Sequence, residues 1–365
     1  MLIPELSKTP RRNRDLLVIP RYAGSKRRHW PLIVGHGHYD AIIEPFAGGG
    51  SLSSRFATTW PAGAVFAADQ NGCVRAVWQC WADPGLHEAV YQAMDALIAT
   101  ILAEFSASLD YLGYTMAELS PRPAREAIAL KTAVLLPETW PALKAEYEAG
   151  LAVGDIADPA RLAAVALALH AVTFGGVSRD TPGSEALNIS PNYGQLEKLA
   201  TAKWRYAFPP APGRISVGRH WEEAIAHLEA SSCSQALAIV DPPYWLPYTP
   251  GTRRRGTGGM TPAYPGHRPH DPATLAMAVD SARRLAGSDK VRRLVVTNYF
   301  SAELDSHLGE LASFVGLHIQ RLDLGLLAGL NKTRAAVTRA RDTAWILSRE
   351  KPVSYYQEEL NLWAS

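Results

Sequence analysis

Asp40-Ala41-Ile42-Ile43-Glu44-Pro45-Phe46-Ala47-Gly48-Gly49-Gly50-Ser51 reads as a strand, a glycine loop and the start of a helix. Its first five residues form a short apolar run of the kind that a parallel sheet buries on both faces. Glycines let a loop backbone approach a ligand closely. The helical pattern that begins at Leu52 presents free N–H groups to a carboxylate or phosphate. The loop lacks the Gly-Lys-Ser or Gly-Lys-Thr of a phosphate cradle and the spacing of a dinucleotide fingerprint. Taken alone, it also fits a plain tight turn.

Its neighbours change that reading. A second strand, Ala64 to Ala68, stops at Asp69, about twenty residues past the loop, where βαβ folds place an acid that accepts hydrogen bonds from ribose hydroxyls. Asn71 then opens a helix through Val74, Val77 and Trp78. Glycine loop and spaced acid together point to a nucleoside cofactor. Further along, Ala236-Leu237-Ala238-Ile239-Val240 reads as another strand buried on both faces, and it ends in Asp241-Pro242-Pro243-Tyr244. Two consecutive prolines fix φ and donate no hydrogen bond, so the chain must leave the sheet there as a rigid polar edge. The carboxyl ends of strands are where open parallel sheets bind ligands.

Further strands are expected at Ile215 to Val217, Arg293 to Asn298 and Ala344 to Leu347, with helices from Glu222 to Glu229 and from Pro272 to Leu285. The fold class is therefore α/β, Rossmann-like, with a mostly parallel sheet. From about residue 85 to 210 the pattern turns to alanine- and leucine-rich helical runs, including Arg122 to Leu136, Thr139 to Leu151 and Ala160 to His170. Such a block reads as an inserted, mainly helical lobe. The expected organisation is an N-terminal arm and cofactor half (1–85), a helical insert (86–210) and a catalytic half (211–365). His170, on an apolar helix face, reads as a packed core histidine.

The chain's 365 residues are 47% hydrophobic, enough for a large core. No signal-peptide pattern opens it, and the longest apolar stretch, Leu162 to Phe174, is too short to span a bilayer, so a cytoplasmic location without membrane contact is expected. Cys73, Cys80 and Cys233 lack metal-ligand spacing and read as reduced, packed thiols, with no metal site. Net charge is only +2, so a nucleic-acid surface must come from local clusters. Residues 1 to 30 carry Lys8, Arg11, Arg12, Arg14, Arg21, Lys26, Arg27 and Arg28 against Glu5 and Asp15. Within this arm Tyr22-Ala23-Gly24-Ser25-Lys26 is a small-residue turn suited to a planar or anionic ligand. Arg253, Arg254 and Arg255 lie in a long loop after Tyr244, and Lys332 and Arg334 in a later basic segment. Solvated loops and faces also have this composition; interleaved Tyr248 and Tyr264 favour a nucleic-acid clamp.

Assembled in order, these motifs resemble the DNA adenine-specific methyltransferase family. The resemblance rests on Tyr22 to Lys26, Glu44 to Gly50, Asp69 with Asn71, Asp241 to Tyr244, and Thr297-Asn298-Tyr299, and it covers most of the chain. Phe174 to Arg179 and Leu187 to Ser190 are similar to two further family segments. The resemblance implies S-adenosylmethionine as cofactor, touched by Tyr22, Lys26, Pro45, Phe46, Gly48, Gly50, Asp69 and Asp241. It implies that Asp69 holds the ribose. Asp241 and the carbonyl of Pro242 accept hydrogen bonds from the 6-amino group of a flipped adenine, and Tyr244 stacks on the base. Double-stranded DNA is the implied partner, with Arg179, Arg253, Arg254, Arg255, Lys332 and Arg334 as DNA-binding candidates. A restriction endonuclease partner fits the same reading; the oligomeric state and recognition sequence do not follow from it. The chain departs from the family at Gly218-Arg219-His220-Trp221, where His220 replaces an acid that in relatives helps bind the cofactor's adenine; Trp221 is the substitute considered. Alternatives are a catalytically silent DNA-binding relative, or an amino-methyltransferase acting on RNA or cytosine.

Overall fold

The computed structural model describes residues 18–20, 25–111, 136–172, 195–196, 199–200, 206–243, 272–325 and 342–350. Seven strands form one sheet: β1 (Ala41–Glu44), β2 (Ala64–Ala68), β3 (Arg214–Gly218), β4 (Ala236–Val240), β5 (Val291–Tyr299), β6 (His318–Gly325) and β7 (Asp342–Ser348). Their order is β3-β2-β1-β4-β5-β7-β6. Strands β1 to β5 pair in parallel, and β7 runs antiparallel to both β5 and β6. Without β7 the order is that of a doubly wound nucleotide-binding sheet, whose topological switch point lies between β1 and β4.

The helices among the described residues are α1 (Trp30–Val34), α2 (Ser51–Thr59), α3 (Gly72–Ala82), α4 (His87–Tyr111), α5 (Thr139–Leu151), α6 (Pro159–Val172), α7 (Trp221–Glu229), α8 (Pro272–Gly287) and α9 (Ala302–Val315). Strand side chains alternate between two cores, as the period of two requires. Ile42, Val65, Leu237 and Ile239 face α1 to α6, whereas Ala41, Ile43, Phe66, Ala238 and Val240 face α7, α8 and α9. Every residue of β1, β2 and β4 is buried, which explains why these strands are apolar without interruption.

The α/β expectation holds at the level of a mostly parallel sheet covered on both faces. The expected strands at 64–68 and 236–240 match to the residue, as does the helix Thr139–Leu151. One strand was not anticipated. β6 is an edge strand, paired only with β7, and its polar side chains His318, Gln320 and Arg321 hide its apolar alternation. The helix expected from Arg122 to Leu136 lies outside the described residues except at Leu136. The described helices of the insert do not form a core of their own. α6 packs on α3 and α4, and α4, α5 and α6 share one hydrophobic cluster with the sheet face. His170 is buried in α6. Among the described residues no helix is long and apolar enough to cross a membrane.

Candidate functional site at the carboxyl edge of the sheet

β1 ends in an acid and β2 and β4 are each followed directly by one, so three carboxyl groups meet the same sheet edge: Glu44, Asp69 and Asp241. Glu44 is the last residue of β1 and is buried. Its Oε2 accepts hydrogen bonds from the N–H of Ser53, at 2.9 Å, and from the Ser53 hydroxyl, in the first turn of α2. Burial pushes the Glu44 carboxyl up to about 7 against the pull of the Ser53 bonds, and the nearby Asp241 charge adds to the rise.

Asp241 follows β4 directly and lies across the switch point from Glu44. Its side chain is 27% exposed, and each oxygen has a separate partner. Lys26, itself buried, reaches Oδ2 at 3.3 Å, and the Thr297 hydroxyl donates to Oδ1 at 2.5 Å. Thr297 comes from β5, the parallel neighbour of β4. Two side chains from opposite ends of the chain thus fix the carboxylate plane, and each oxygen keeps a further lone pair. Pro242 and Pro243 are both buried.

Asp69 is held differently. It is 7% exposed, and its oxygens accept the backbone N–H groups of Gly48 and Asn71, both at 2.9 Å. Burial raises its carboxyl to about 6, opposed by those two bonds and by the charge of Arg75. Gly48 and Gly50 have φ of 48° and 64°, in the region that favours glycine. A Cβ on Gly50 would lie 2.8 Å from both Trp78 and Val18. The Gly48 carbonyl accepts from the Trp78 indole at 2.9 Å, and the Gly49 carbonyl from the Ile19 N–H at 3.1 Å. The loop is therefore clamped from both sides. Pro45 is buried within it, and Phe46 is half-buried against the core on the α7 to α9 face.

α3 begins at its cap residue Asn71, whose Oδ1 accepts from the N–H groups of Cys73 and Val74. At the next strand end, His220 is the N-cap of α7, and the carboxylate there is Glu223, which accepts from the backbone N–H groups of Arg219 and His220. Trp221 does not turn towards the Asp69 side. It packs against the opposite core, with the Arg284 guanidinium 5.6 Å from its ring centre.

Of the residues singled out from sequence, Lys26, Pro45, Phe46, Gly48, Gly50, Asp69, Asp241 and Pro242 gather at this edge. Tyr22, Tyr244, Arg179, Arg253, Arg254, Arg255, Lys332 and Arg334 lie outside the described residues. Three residues of the site carry no role that follows from the sequence alone: Glu44, Thr297 and Arg75. Glu44 carried a signal, being an acid inside a buried run. Among the described residues the site sets three carboxyl groups against one lysine, Lys26 on Asp241, which suits a cationic ligand with hydrogen-bond donors. Compared with models of known protein families and with curated proteins, the sequence matches none.

Proposed function

We propose that this protein transfers a methyl group from S-adenosylmethionine to the 6-amino group of a flipped adenine in double-stranded DNA. The observation that carries the reading is Asp241: a part-exposed carboxylate at the switch point, each oxygen fixed by its own partner, followed by two buried prolines and flanked by the glycine loop and Asp69. The donor's sulfonium, ammonium and ribose diol fit an acidic edge that offers Glu44, Asp69 and Asp241 as acceptors. When bound, S-adenosylmethionine supplies an electrophilic methyl group.

The rest of the work belongs to the chain. Adenine's exocyclic nitrogen is a poor nucleophile because its lone pair is delocalised into the ring. Asp241 and the Pro242 carbonyl accept its two N–H groups, which localises the lone pair and aims it along one direction. This is positioning plus preorganised electrostatics, with no covalent intermediate on the protein. Lys26 and Thr297 keep the acceptor from rotating away. Asp69 receives the ribose hydroxyls on the lone pairs that Gly48 and Asn71 leave free. In this reading Tyr244 stacks on the flipped base, offsetting part of an unstacking cost of roughly a few kcal/mol, and Arg179, Arg253, Arg254, Arg255, Lys332 and Arg334 contact phosphates.

The test is incubation with methyl-labelled donor and mixed-sequence duplex DNA, followed by digestion to nucleosides. Label in 6-methyladenosine is expected. Donor binding without transfer would sink the proposal in favour of a silent DNA-binding relative, and label on cytosine or only on RNA would redirect it to another amine.

A further inference from the structure

Four Lys, Arg, Asp or Glu side chains are buried among the described residues: Lys26, Glu44, Asp69 and Arg75. Three belong to the site above. Arg75, in the first turn of α3, is 3% exposed. Among the described residues its guanidinium forms hydrogen bonds only with backbone carbonyls. One nitrogen donates to Asp69 O at 3.0 Å and Gln70 O at 2.8 Å, the turn that carries the acid. The other donates to Val153 O and, at 3.0 Å, to Gly154 O, the turn that follows α5 in the helical insert. Burying a guanidinium without a carboxylate hydrogen-bonded to it is costly, and what offsets the cost here is the set of carbonyls from two separate turns.

The surrounding contact is locked by shape. A Cβ on Gly72 would meet Gly150 O at 2.3 Å, and one on Gly150 would meet the Cys73 sulfur at 2.7 Å. Asn71 Nδ2 donates to the Tyr147 hydroxyl of α5 at 3.4 Å. The start of α3 and the end of α5 are therefore packed backbone to backbone, and Arg75 spans the joint.

We infer that Arg75 is a positioning residue for Asp69: it clasps the backbone that carries the acid to the helical insert and sets a cation behind the carboxylate, so that affinity for the nucleoside donor depends on a contact the insert makes. The inference rests on the donor-binding reading above. Among the described residues, the charged and titratable groups around Asp69 and Arg75 are Cys73 on α3 and Tyr147 on α5, with Arg219 and Glu223 beyond Arg75 at the start of α7.

Calorimetric titration of the full chain with S-adenosylmethionine, from pH 5 to pH 8, tests it without any turnover. In the wild type, affinity should fall as pH drops through about 6, where Asp69 takes up its proton. Arg75→Met removes the cation that opposes this protonation, so the midpoint should move to higher pH as affinity falls. Arg75→Lys keeps the charge but loses the fork across the two turns; the midpoint should stay while affinity drops about tenfold, as expected for lost charge-assisted hydrogen bonds. Glu44 titrates in all three proteins, so it drops out of the comparison. A uniform loss of affinity in Arg75→Met with an unmoved midpoint would mean a merely structural role and overturn the inference. Should Arg75→Met fail to fold by circular dichroism, Arg75→Gln replaces it, since it also removes the charge but keeps a donor for the carbonyls: a midpoint moved to higher pH supports the inference, and an unmoved midpoint overturns it. A wild type that binds no donor overturns the functional reading and this inference together, whereas a midpoint that fails to move leaves the functional reading standing.

Discussion

Asp69 and Asp241 stand at the ends of two strands of one sheet, with β1 between them, and the protein treats them in opposite ways. Asp69 is buried and held by backbone N–H groups of its own turn and the glycine loop. Asp241 is part-exposed and held by side chains, Lys26 from the N-terminal region and Thr297 from β5. Backbone partners tie an acid to the shape of a loop. Side-chain partners orient an acid while leaving its outer face open. In the proposed function the difference separates a group that holds the donor from one that meets the target amine, although both are aspartates after a buried apolar strand.

The largest expected effect comes from breaking the open member of the pair. Asp241→Ala should lower the rate of methyl transfer by about two to three orders of magnitude or more, the range for removing a preorganised polar group at a reacting centre, while DNA affinity changes little. Asp69→Asn should act mainly on KM for the donor, with transfer at saturating donor largely retained. Steady-state kinetics on both variants checks the contrast; two variants with the same kcat and KM pattern would erase it.

Glu44 lies between these two acids and sharpens the comparison through pH. Its folded-state pKa of about 7 exceeds the ordinary 4.5, as the value of about 6 for Asp69 exceeds 3.8. For raised acids the folded state binds the proton more tightly, so stability is lost as pH rises from the unfolded value through the folded one. The loss is on the order of 3 kcal/mol for Glu44, complete above about pH 7. Glu44→Gln removes the titration and keeps an acceptor for Ser53. Its melting temperature should gain on the wild type from pH 5 to about pH 7 and hold that gain above it. A gap that does not change with pH would show that the Glu44 carboxyl does not titrate in this window.

Much of this pair was legible in the chain. The runs 64–68 and 236–240 are apolar throughout because parallel strands are buried on both faces, and each stops at an acid at the carboxyl edge of the sheet. β6 was not legible, since an edge strand with one partner tolerates His318, Gln320 and Arg321 in place of clean alternation. Arg75 escaped for another reason. Its partners at Val153 and Gly154 are 78 and 79 residues away and are carbonyls, which no side-chain pattern reveals. A lone cation in a helix otherwise buried nearly all round was the available signal. Lys26 was legible as a site residue through its motif, but its pairing with Asp241 spans 215 residues and needed the fold.

The smallest expected effect probes the closed side alone. Asn71 caps α3 through two N–H groups, and its own N–H donates to Asp69. Asn71→Ala keeps the backbone bond to Asp69 and loses the cap, so stability should fall by about 1 kcal/mol, measurable by denaturant midpoint. Asn71→Asp keeps the cap and brings a carboxylate beside Asp69. Like charge so close favours protonation of Asp69, so donor affinity at pH 6 should fall more in Asn71→Asp than in Asn71→Ala, although Asn71→Asp is the more stable protein. Stability and donor affinity then change in opposite orders across the two variants. If affinity instead follows stability, Asp69 serves the fold rather than the ligand, and the contrast with Asp241 becomes one of structure against function instead of two ligand-facing roles.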